Sequence, residues 1–261
     1  MSFSIDQFRL DGKVAIVTGA GGRGNSIGRA YATGLAAAGA AVVVADINLA
    51  GAQTVADEII AASGRAIAVG VDITQDDQVT AMAAAAQDAF GGVDILVNNA
   101  ALMLELGQLN VADVPFDQWD KIMAVNVTGA LRCVQAVIPS MRARGGGRII
   151  NQVSGGAFPA VSIYGVSKLA LTGLTTTMAK QLGRDGITAN AIAPGNVTSE
   201  AGAKLVPEGS PFAQYLAMSV CTRASGAPDE LVGALLLLCS QAGAWITGQT
   251  LHVDGGWVLR P

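Results

Sequence analysis

The chain has 261 residues, of which 51% are hydrophobic and 14% charged, which is enough for a large folded core and excludes an intrinsically disordered chain. A net charge of −4, with no stripe of Lys and Arg among aromatic residues, argues against nucleic-acid binding. Mean hydropathy is +0.45, yet the apolar runs fall short of the ~20 residues of a membrane span and no targeting pattern opens the chain, so we expect a soluble cytoplasmic protein.

Short runs rich in Val and Ile alternate with longer Ala- and Leu-rich segments. The predicted strands are 13–19, 40–48, 65–74, 92–100, 147–155, 187–195 and 250–256. Helical spacing follows each of the first six strands, as in 28–39 and 76–91. This alternation predicts an α/β fold, a Rossmann-like doubly wound parallel sheet of about seven strands with helices on both faces, formed by residues 1–261 as one domain. Ligands bind such sheets at the carboxyl ends of the strands.

The first strand leads into a glycine-rich turn, TGAGGRGNSIGRA at 18–30, with glycines at 19, 21, 22, 24 and 28. The spacing is not G-x-G-x-x-G, and a flexible surface loop would have the same composition. Glycine at this place lets the backbone approach a pyrophosphate, which the N-terminus of the next helix then holds. The position in the first strand-to-helix turn therefore favours nucleotide binding.

The second strand ends at Asp46, at the separation from the glycine turn where a carboxylate accepts hydrogen bonds from the adenosine ribose. The alternative is a helix N-cap. A ribose-binding Asp46 would repel a 2′-phosphate and favour NAD over NADP, whereas Arg23 in the glycine turn favours NADP. We weight the carboxylate more, because it terminates a strand.

Two further strand ends carry small or polar residues. Asp72, in VDIT, is a candidate for the adenine amino group or for a cap of the next helix. The segment NNAA, 98–101, suits backbone contact with a cofactor or a tight turn.

Tyr164 and Lys168 lie four positions apart in SIYGVSKLA, a segment with helical spacing. Side chains at i and i+4 share one helix face, so the hydroxyl and the ammonium can point toward one site. Taken alone, the pair is more often a packed phenol beside a solvated lysine than a catalytic pair.

Together these motifs resemble the short-chain dehydrogenase/reductase family, in its Tyr-x-x-x-Lys form, over nearly the whole chain. The matching elements, in order, are TGAGG…SIGRA, Asp46, VDIT, NNA, NVTG (126–129), IINQVS (149–154), YGVSK (164–168), NAIAPGNV (190–197) and TGQTLHVDGG (247–256).

The resemblance implies catalysis by Ser154, Tyr164, Lys168 and Asn126. Tyr164 would exchange the alcohol proton, and the Lys168 ammonium would stabilise its phenolate and hold the nicotinamide ribose. Ser154 would donate a hydrogen bond to the substrate oxygen. Asn126 would position a water that links Lys168 to solvent; its alternative role is that of a buried asparagine supporting a helix.

The resemblance also implies a set of cofactor-binding residues, with Ser199 in place of the more usual threonine near the nicotinamide carboxamide. The set is Gly19, Gly22, Ser26, Ile27, Gly28, Asp46, Asp72, Ile73, Asn99, Tyr164, Lys168, Pro194, Gly195 and Val197.

Three departures from the family pattern affect this interpretation. The glycine turn is long, with GRGNS inserted before IG, as in enoyl-reductase relatives, but those separate Tyr and Lys more widely, so carbonyl/alcohol chemistry is preferred over C=C reduction. Ser154 precedes Tyr164 by few residues, which makes Ser162 a second candidate. Ala101 stands where glycine is common.

The long connection at 199–230 has no obvious periodicity and is expected to act, at about 199–225, as a substrate lid. With Phe158 and the loop at 101–107, its apolar residues predict a pocket for an apolar ketone or secondary alcohol; the alternative is packing against a second subunit. Those lid residues are Leu205, Val206, Phe212, Tyr215, Leu216 and Met218. The family commonly forms tetramers, and the tail GGWVLRP fits either an interface or the edge of one core.

The leading hypothesis is therefore an NAD-preferring alcohol dehydrogenase or ketone reductase, a homo-oligomer. The alternatives are a non-catalytic cofactor-binding protein of the same fold, or an enoyl reductase. No metal is expected, since His252 has no Cys or His partner at ligand spacing. Cys133, Cys221 and Cys239 are expected to be small buried residues in a reducing compartment.

Overall fold

The computed structural model describes residues 4–22, 24–103, 112–158 and 162–259, and seven parallel strands in them form one sheet. The strands are β1 Val14–Thr18, β2 Ala41–Asp46, β3 Arg65–Gly70, β4 Ile95–Asn98, β5 Gly147–Gln152, β6 Ile187–Pro194 and β7 Thr250–Val253. Their order is β3-β2-β1-β4-β5-β6-β7, and every neighbouring pair is parallel. The predicted fold class and all seven predicted strands are confirmed.

Helices connect the strands, and serine or asparagine side chains cap several of them. The α-helices are α1 Ile27–Ala37, α2 Leu49–Ala61, α3 Asp76–Phe90, α4 Phe116–Met123, α5 Ala130–Ala143, α6 Ile163–Leu182, α7 Glu200–Leu205, α8 Pro211–Ser219 and α9 Val232–Cys239. Ser26 caps α1, Asn48 caps α2 and Ser162 caps α6 through side-chain hydrogen bonds.

Both faces of the sheet are covered, because the central strands β1, β2 and β4 are apolar on both sides and must bury both. Residues of α1, α2 and α9 pack on one face, with Tyr31, Leu35 and Leu235 fully buried there. Residues of α3, α5 and α6 pack on the other, including Met82 and Val137.

One helix is continuous from Phe116 to Ala143, because a π-helical turn at Ala124–Gly129 joins α4 to α5. By length and composition this helix could cross a membrane. Its apolar face, however, packs against the sheet through Cys133, Val137 and Met141. The segment therefore serves as a core helix of the α/β fold.

Two predictions need correction. The connection after β6 is not irregular, since it contains α7 and α8. Cys133 and Cys239 are buried as expected, but Cys221 is exposed and its thiol donates a hydrogen bond to the Gly256 carbonyl. Cys221 follows the end of α8, at the surface, where an apolar sequence environment does not ensure burial.

Candidate active site

A cavity of about 520 Å³ opens at the carboxyl ends of the strands, where the strand order reverses between β1 and β4. Such a point is where doubly wound sheets bind ligands. Residues of the cavity wall are Gly19, Gly22, Ser26, Ile27, Gly28, Ala45, Asp46, Ile47, Val71, Asp72, Ile73, Asn99, Ala100, Ala101, Leu102, Met103, Val125, Gln152, Tyr164, Lys168, Ser199 and Glu200.

The glycine turn forms one wall of the cavity, and two of its glycines are required by geometry. Gly19 has a φ of +68°, and a Cβ there would lie 2.6 Å from the Ala100 Cα atom. A Cβ on Gly28 would lie 2.3 Å from the Gly19 carbonyl oxygen, so only glycine lets α1 approach β1 this closely. The N-terminus of α1 thereby faces the cavity, an arrangement that binds anions. Arg23 lies outside the described residues.

Asp46 stands at the end of β2 and also braces the glycine turn. Its two carboxylate oxygens accept hydrogen bonds from the backbone N–H groups of Gly21 and Asn48, each at 2.8 Å. Because Asn48 caps α2, the alternative that Asp46 is the helix N-cap is wrong. The described cavity wall has no cation near Asp46 that would balance a 2′-phosphate, since its only Lys or Arg is Lys168.

Asp72 and Asn99 lie in the cavity wall and are held by local hydrogen bonds. Asp72 accepts hydrogen bonds from the Thr74 N–H and hydroxyl at 2.9 and 2.7 Å, which lower the pKa of its carboxyl. The alternative role of Asp72, as the cap of the next helix, is wrong. The N-cap residue of α3 is Gln75, and its side chain makes no capping hydrogen bond. The Asn99 amide donates to the carbonyl oxygens of Thr18 and Gly19, so it fixes the start of the glycine turn.

Tyr164 and Lys168 lie one turn apart near the start of α6, and both line the cavity. The Lys168 Nζ atom is 5.6 Å from the centre of the Tyr164 ring and donates a 2.7 Å hydrogen bond to the Gln152 carbonyl oxygen. The side chain of Lys168 is buried, with 1% of the residue exposed. The i, i+4 pair thus faces the cavity, as the helical spacing indicates.

Ser154 follows β5, and its side chain lies near the Tyr164 phenol, where it acts to lower the pKa of that phenol. Its Oγ atom also accepts a hydrogen bond from the Gly156 N–H at 3.1 Å. The second candidate, Ser162, caps α6 instead, where its Oγ accepts the Gly165 N–H at 3.0 Å. Of the two serines, Ser154 is therefore the one whose side chain lies near the phenol.

Burial changes the pKa values of both groups on α6. Burial raises the pKa of Tyr164, and the nearby Ser154 side chain acts in the opposite direction without cancelling this. Burial lowers the pKa of Lys168 from 10.5 to about 7. The sequence predicts that Lys168 lowers the pKa of Tyr164. In the protein without a ligand that pKa is raised instead, because burial disfavours the phenolate of Tyr164 and the ammonium of Lys168 alike.

Asn126 lies in the π-helical turn, 1% exposed, and its side chain is fully engaged. Its Oδ1 accepts from the Leu102 N–H at 2.8 Å, and its Nδ2 donates to the Leu102 carbonyl and to the Ser167 hydroxyl, both at 3.0 Å. These contacts tie the segment after β4 to α6. They correspond to the supporting role left open by the sequence, and the water relay stays a prediction.

The expected carboxamide-binding segment lies beside the cavity rather than in its wall. Pro194 ends β6, and the Gly195 N–H donates to the Val253 carbonyl at 3.1 Å. Val197 lines a separate depression of about 140 Å³. Ser199 does line the main cavity, where its Oγ caps α7 by accepting the Gly202 N–H.

An aromatic cluster adjoins Ser154. Phe212 on α8 stacks on Tyr215 at 6.0 Å and meets Trp257 edge-on at 6.1 Å between ring centres. A Cβ on Gly155 would lie 2.8 Å from the Trp257 ring, so the indole packs directly against Gly155, the residue after Ser154. The sequence assigned Trp257 to an interface or a core edge and missed this position.

The other expected pocket residues are dispersed. Phe158 packs on His252 at 4.8 Å between ring centres, Leu216 is buried in the fold and Met218 is exposed. Of the loop at 101–107, residues 101–103 line the cavity, and 104–107 lie outside the described residues, as does the Leu205 side chain.

Sequence reasoning also missed Thr18, Tyr31 and Gln152. The Thr18 hydroxyl accepts hydrogen bonds from the N–H groups of Asn99 and Ala100, and the Tyr31 hydroxyl donates to the Gln152 side chain. A signal for Gln152 was available, because a glutamine is unusual at the end of a central strand that is otherwise buried.

Comparison with known proteins places the chain among relatives of full length. A family model described as enoyl-(acyl carrier protein) reductase matches residues 22–258. An uncharacterised oxidoreductase of Mycobacterium tuberculosis is 44% identical over 96% of this chain and 99% of its own. A gluconate 5-dehydrogenase structure from Burkholderia cenocepacia, in complex with NADP and tartrate, has a TM-score of 0.89 at 36% identity over 97% of each chain. A 7α-hydroxysteroid dehydrogenase with NADH and 7-oxo glycochenodeoxycholic acid has the same TM-score and identity over 99% of each chain.

Proposed function

The chain belongs to the short-chain dehydrogenase/reductase family of oxidoreductases, and we propose that it interconverts a secondary alcohol and a ketone on an apolar small molecule, using a nicotinamide cofactor with a preference for NAD. One observation carries the proposal. Tyr164 and Lys168 line the same cavity as the glycine turn and Asp46, and the Ser154 side chain lies near the Tyr164 phenol. An acid–base group thus adjoins a groove suited to a dinucleotide.

The cavity wall fits such a cofactor. The close approach of α1 to β1 at Gly28 leaves the helix N-terminus open to a pyrophosphate, and Asp46 and Asp72 offer carboxylate oxygens to the adenosine end. Lys168 would hold the ribose at the other end. When bound, the nicotinamide ring supplies the hydride donor or acceptor.

The residues of the chain supply proton transfer and polarisation. Because burial raises the pKa of Tyr164, its phenol is protonated at neutral pH and can give a proton to the oxygen of a ketone as that oxygen gains charge. Ser154 adds a second hydrogen bond to the same oxygen. In alcohol oxidation Tyr164 must first lose its own proton to solvent, through the water that Asn126 is proposed to hold. The phenolate, stabilised by positive charge on Lys168, then takes the proton of the alcohol.

The preference for NAD rests on Asp46. Its carboxylate is fixed at the end of β2 by two backbone hydrogen bonds, and the next residue is the apolar, exposed Ile47. A 2′-phosphate there would meet a negative charge at short range. Asp46→Ala should raise the ratio of kcat/KM with NADP to that with NAD by about tenfold, equivalent to 1.4 kcal/mol of relieved repulsion. An unchanged ratio in a variant that still folds would rule out the ribose assignment.

The substrate is expected to lie against the aromatic cluster of Phe212, Tyr215 and Trp257, with residues 199–225 acting as the lid. This surface favours an apolar ketone, which is closer to the 7-oxo glycochenodeoxycholic acid in the steroid-dehydrogenase structure than to the tartrate in the gluconate-dehydrogenase structure. We further propose a cytoplasmic homo-oligomer, with a tetramer as the expected state.

The decisive experiment is turnover with NADH or NADPH on a panel of ketosteroid, aryl ketone, sugar-acid and enoyl substrates. Tyr164→Phe should lower kcat on the active substrate by about 10²–10⁴-fold and leave NADH binding intact. Tight NADH binding without turnover of any substrate would instead indicate a non-catalytic binding protein. Turnover of enoyl substrates alone would indicate C=C reduction, in line with the description of the matching family model.

A further inference from the structure

A buried polar pair, Tyr31 and Gln152, lies directly behind the catalytic end of the cavity. Tyr31 on α1 is fully buried, and its hydroxyl donates a 2.7 Å hydrogen bond to the Gln152 Oε1 atom. Gln152 ends β5, is 6% exposed and lines the cavity with Tyr164 and Lys168. A buried hydroxyl and a buried amide are costly unless they are satisfied, so this pair requires an explanation.

The orientation of the Gln152 amide follows from Tyr31. In the described part of the chain, the Tyr31 hydroxyl has no acceptor other than Oε1, and its proton would be left unsatisfied if the amide were turned around. Oε1 therefore faces α1, and Nε2 is the free end. Nε2 makes no hydrogen bond to the described residues and is not fully enclosed, because the side chain reaches the cavity wall.

We propose that Gln152 is a cofactor-positioning residue whose Nε2 donates a hydrogen bond to an acceptor on the nicotinamide end of the dinucleotide. The position along the cavity supports this end. The Gln152 carbonyl accepts from Lys168 Nζ at 2.7 Å, and Ser154 follows two residues later, whereas Asp46 marks the adenosine end. Tyr31 is then a positioning residue that acts through Gln152. The inference rests on the proposed function, since it presumes that the cavity holds a dinucleotide.

Three variants separate this role from a packing role. Gln152→Met removes the donor but keeps the backbone carbonyl that holds Lys168. In Gln152→Met the Tyr31 hydroxyl has lost its acceptor. The double variant Tyr31→Phe with Gln152→Met removes that hydroxyl as well, and replacing both partners by apolar groups costs little stability. Tyr31→Phe alone keeps the Nε2 donor of Gln152 but removes the hydrogen bond that fixes the orientation of the Gln152 amide. Gln87→Met, at an exposed glutamine of α3, is the matched control.

The measurement is the Kd of NADH and of ADP, which lacks the nicotinamide and its ribose, with thermal unfolding as a check of folding. Gln152→Met and the double variant should bind NADH about three- to tenfold more weakly, the value of one hydrogen bond, with ADP affinity unchanged. Tyr31→Phe should show a smaller loss confined to NADH, and the control none.

Unchanged NADH affinity in a folded double variant would overturn the inference, and so would an equal loss for both ligands, which would indicate an effect transmitted through the fold. If the wild type binds neither NADH nor NADPH, the proposed function fails and this inference with it. If NADH binding responds as expected but no substrate is turned over, the proposed catalytic function fails and the assignment of Gln152 stands.

Discussion

The glycine turn and helix α8 differ in how far their side chains are fixed before any ligand binds. At the glycine turn, Asn99 donates to two backbone carbonyls and Asp46 accepts from two backbone N–H groups. On α8, by contrast, Phe212 and Tyr215 are 44% and 48% exposed. The first region consists of loops held by hydrogen bonds, and the second presents apolar rings to solvent.

This difference indicates that the two regions have different roles in ligand binding. A site whose polar groups are already fixed loses little entropy when it binds, which suits a ligand that is the same in every turnover. Exposed rings on a short helix gain most of their burial from whatever packs on them, so they suit selection among substrates. Variants of the first region should therefore affect all substrates alike, and variants of the second should affect them selectively.

The largest effect is expected at the junction of the two regions. Ser154→Ala should lower kcat by about 10²–10³-fold for every substrate, because it removes one donor to the reacting oxygen. Ser162→Ala is the matched control, since that serine caps α6 and its loss should cost about 1 kcal/mol of stability and little rate. Steady-state kinetics with thermal unfolding measure both. If Ser162→Ala proved the more damaging to kcat, the assignment of Ser154 would be wrong.

The second prediction tests the rigidity of the glycine turn. In Gly28→Ala the new Cβ would lie 2.3 Å from the Gly19 carbonyl oxygen, and neither backbone can move away easily. Overpacking of this kind costs about 1–3 kcal/mol, so NADH binding should weaken by about 10- to 100-fold.

The control for this prediction is Gly173→Ala in the middle of α6, where a Cβ meets nothing within 4 Å. That change should raise stability by about 0.5–1 kcal/mol, because alanine restricts the unfolded chain. Titration of NADH fluorescence and thermal unfolding distinguish the two variants. Normal NADH affinity in Gly28→Ala would show that the turn is less rigid than its contacts indicate.

The same contrast explains what the sequence could predict. Local sequence spacing predicts the strand ends, the glycine turn and the Tyr164–Lys168 pair on α6. The hydrophobic period identifies each strand and helix, and the position of a residue within that element fixes where its side chain lies. The choice of Ser154 over Ser162 was harder, since both are near Tyr164 in sequence. The sequence favours Ser154 because it follows the strand directly, and the structure adds that Ser162 caps α6, so Ser154 stays the proposed residue.

Contacts between distant segments were not predictable. Trp257 contacts Gly155 and Tyr31 contacts Gln152, and the two partners of each contact are far apart in the sequence. No local sequence pattern therefore predicts either contact. The direction of the Tyr164 pKa shift was also missed, because it depends on burial in three dimensions rather than on the neighbouring lysine.

The third prediction concerns Lys168 and uses pH. Burial lowers its pKa from 10.5 to about 7 in the folded chain, so between these values the unfolded chain binds a proton that the folded chain does not. The free energy of unfolding due to Lys168 should therefore rise with pH by up to about 1.4 kcal/mol per unit. In Lys168→Met this rise is absent.

Denaturant unfolding from pH 7.5 to 9 measures the effect, a window below the range where the raised pKa of Tyr164 matters. The wild type should gain stability relative to Lys168→Met as pH increases, whereas Lys180→Met, at an exposed lysine of the same helix, should follow the wild type. Parallel curves for wild type and Lys168→Met would mean that the buried lysine keeps its charge through contacts that offset burial.

The smallest effect is expected on α8, and it tests the other side of the comparison. Phe212→Ala should leave stability and NADH affinity nearly unchanged, because the ring is 44% exposed and packs mainly on Tyr215 and Trp257. The KM for an apolar ketone should rise about three- to tenfold through lost apolar contact, while turnover of a sugar acid stays the same. Phe116→Ala, at an 84% exposed ring of α4, is the control. Equal KM changes for apolar and polar substrates would mean that α8 does not select for apolar substrates. A changed oligomeric state would mean that Phe212 packs against a second subunit rather than against a substrate.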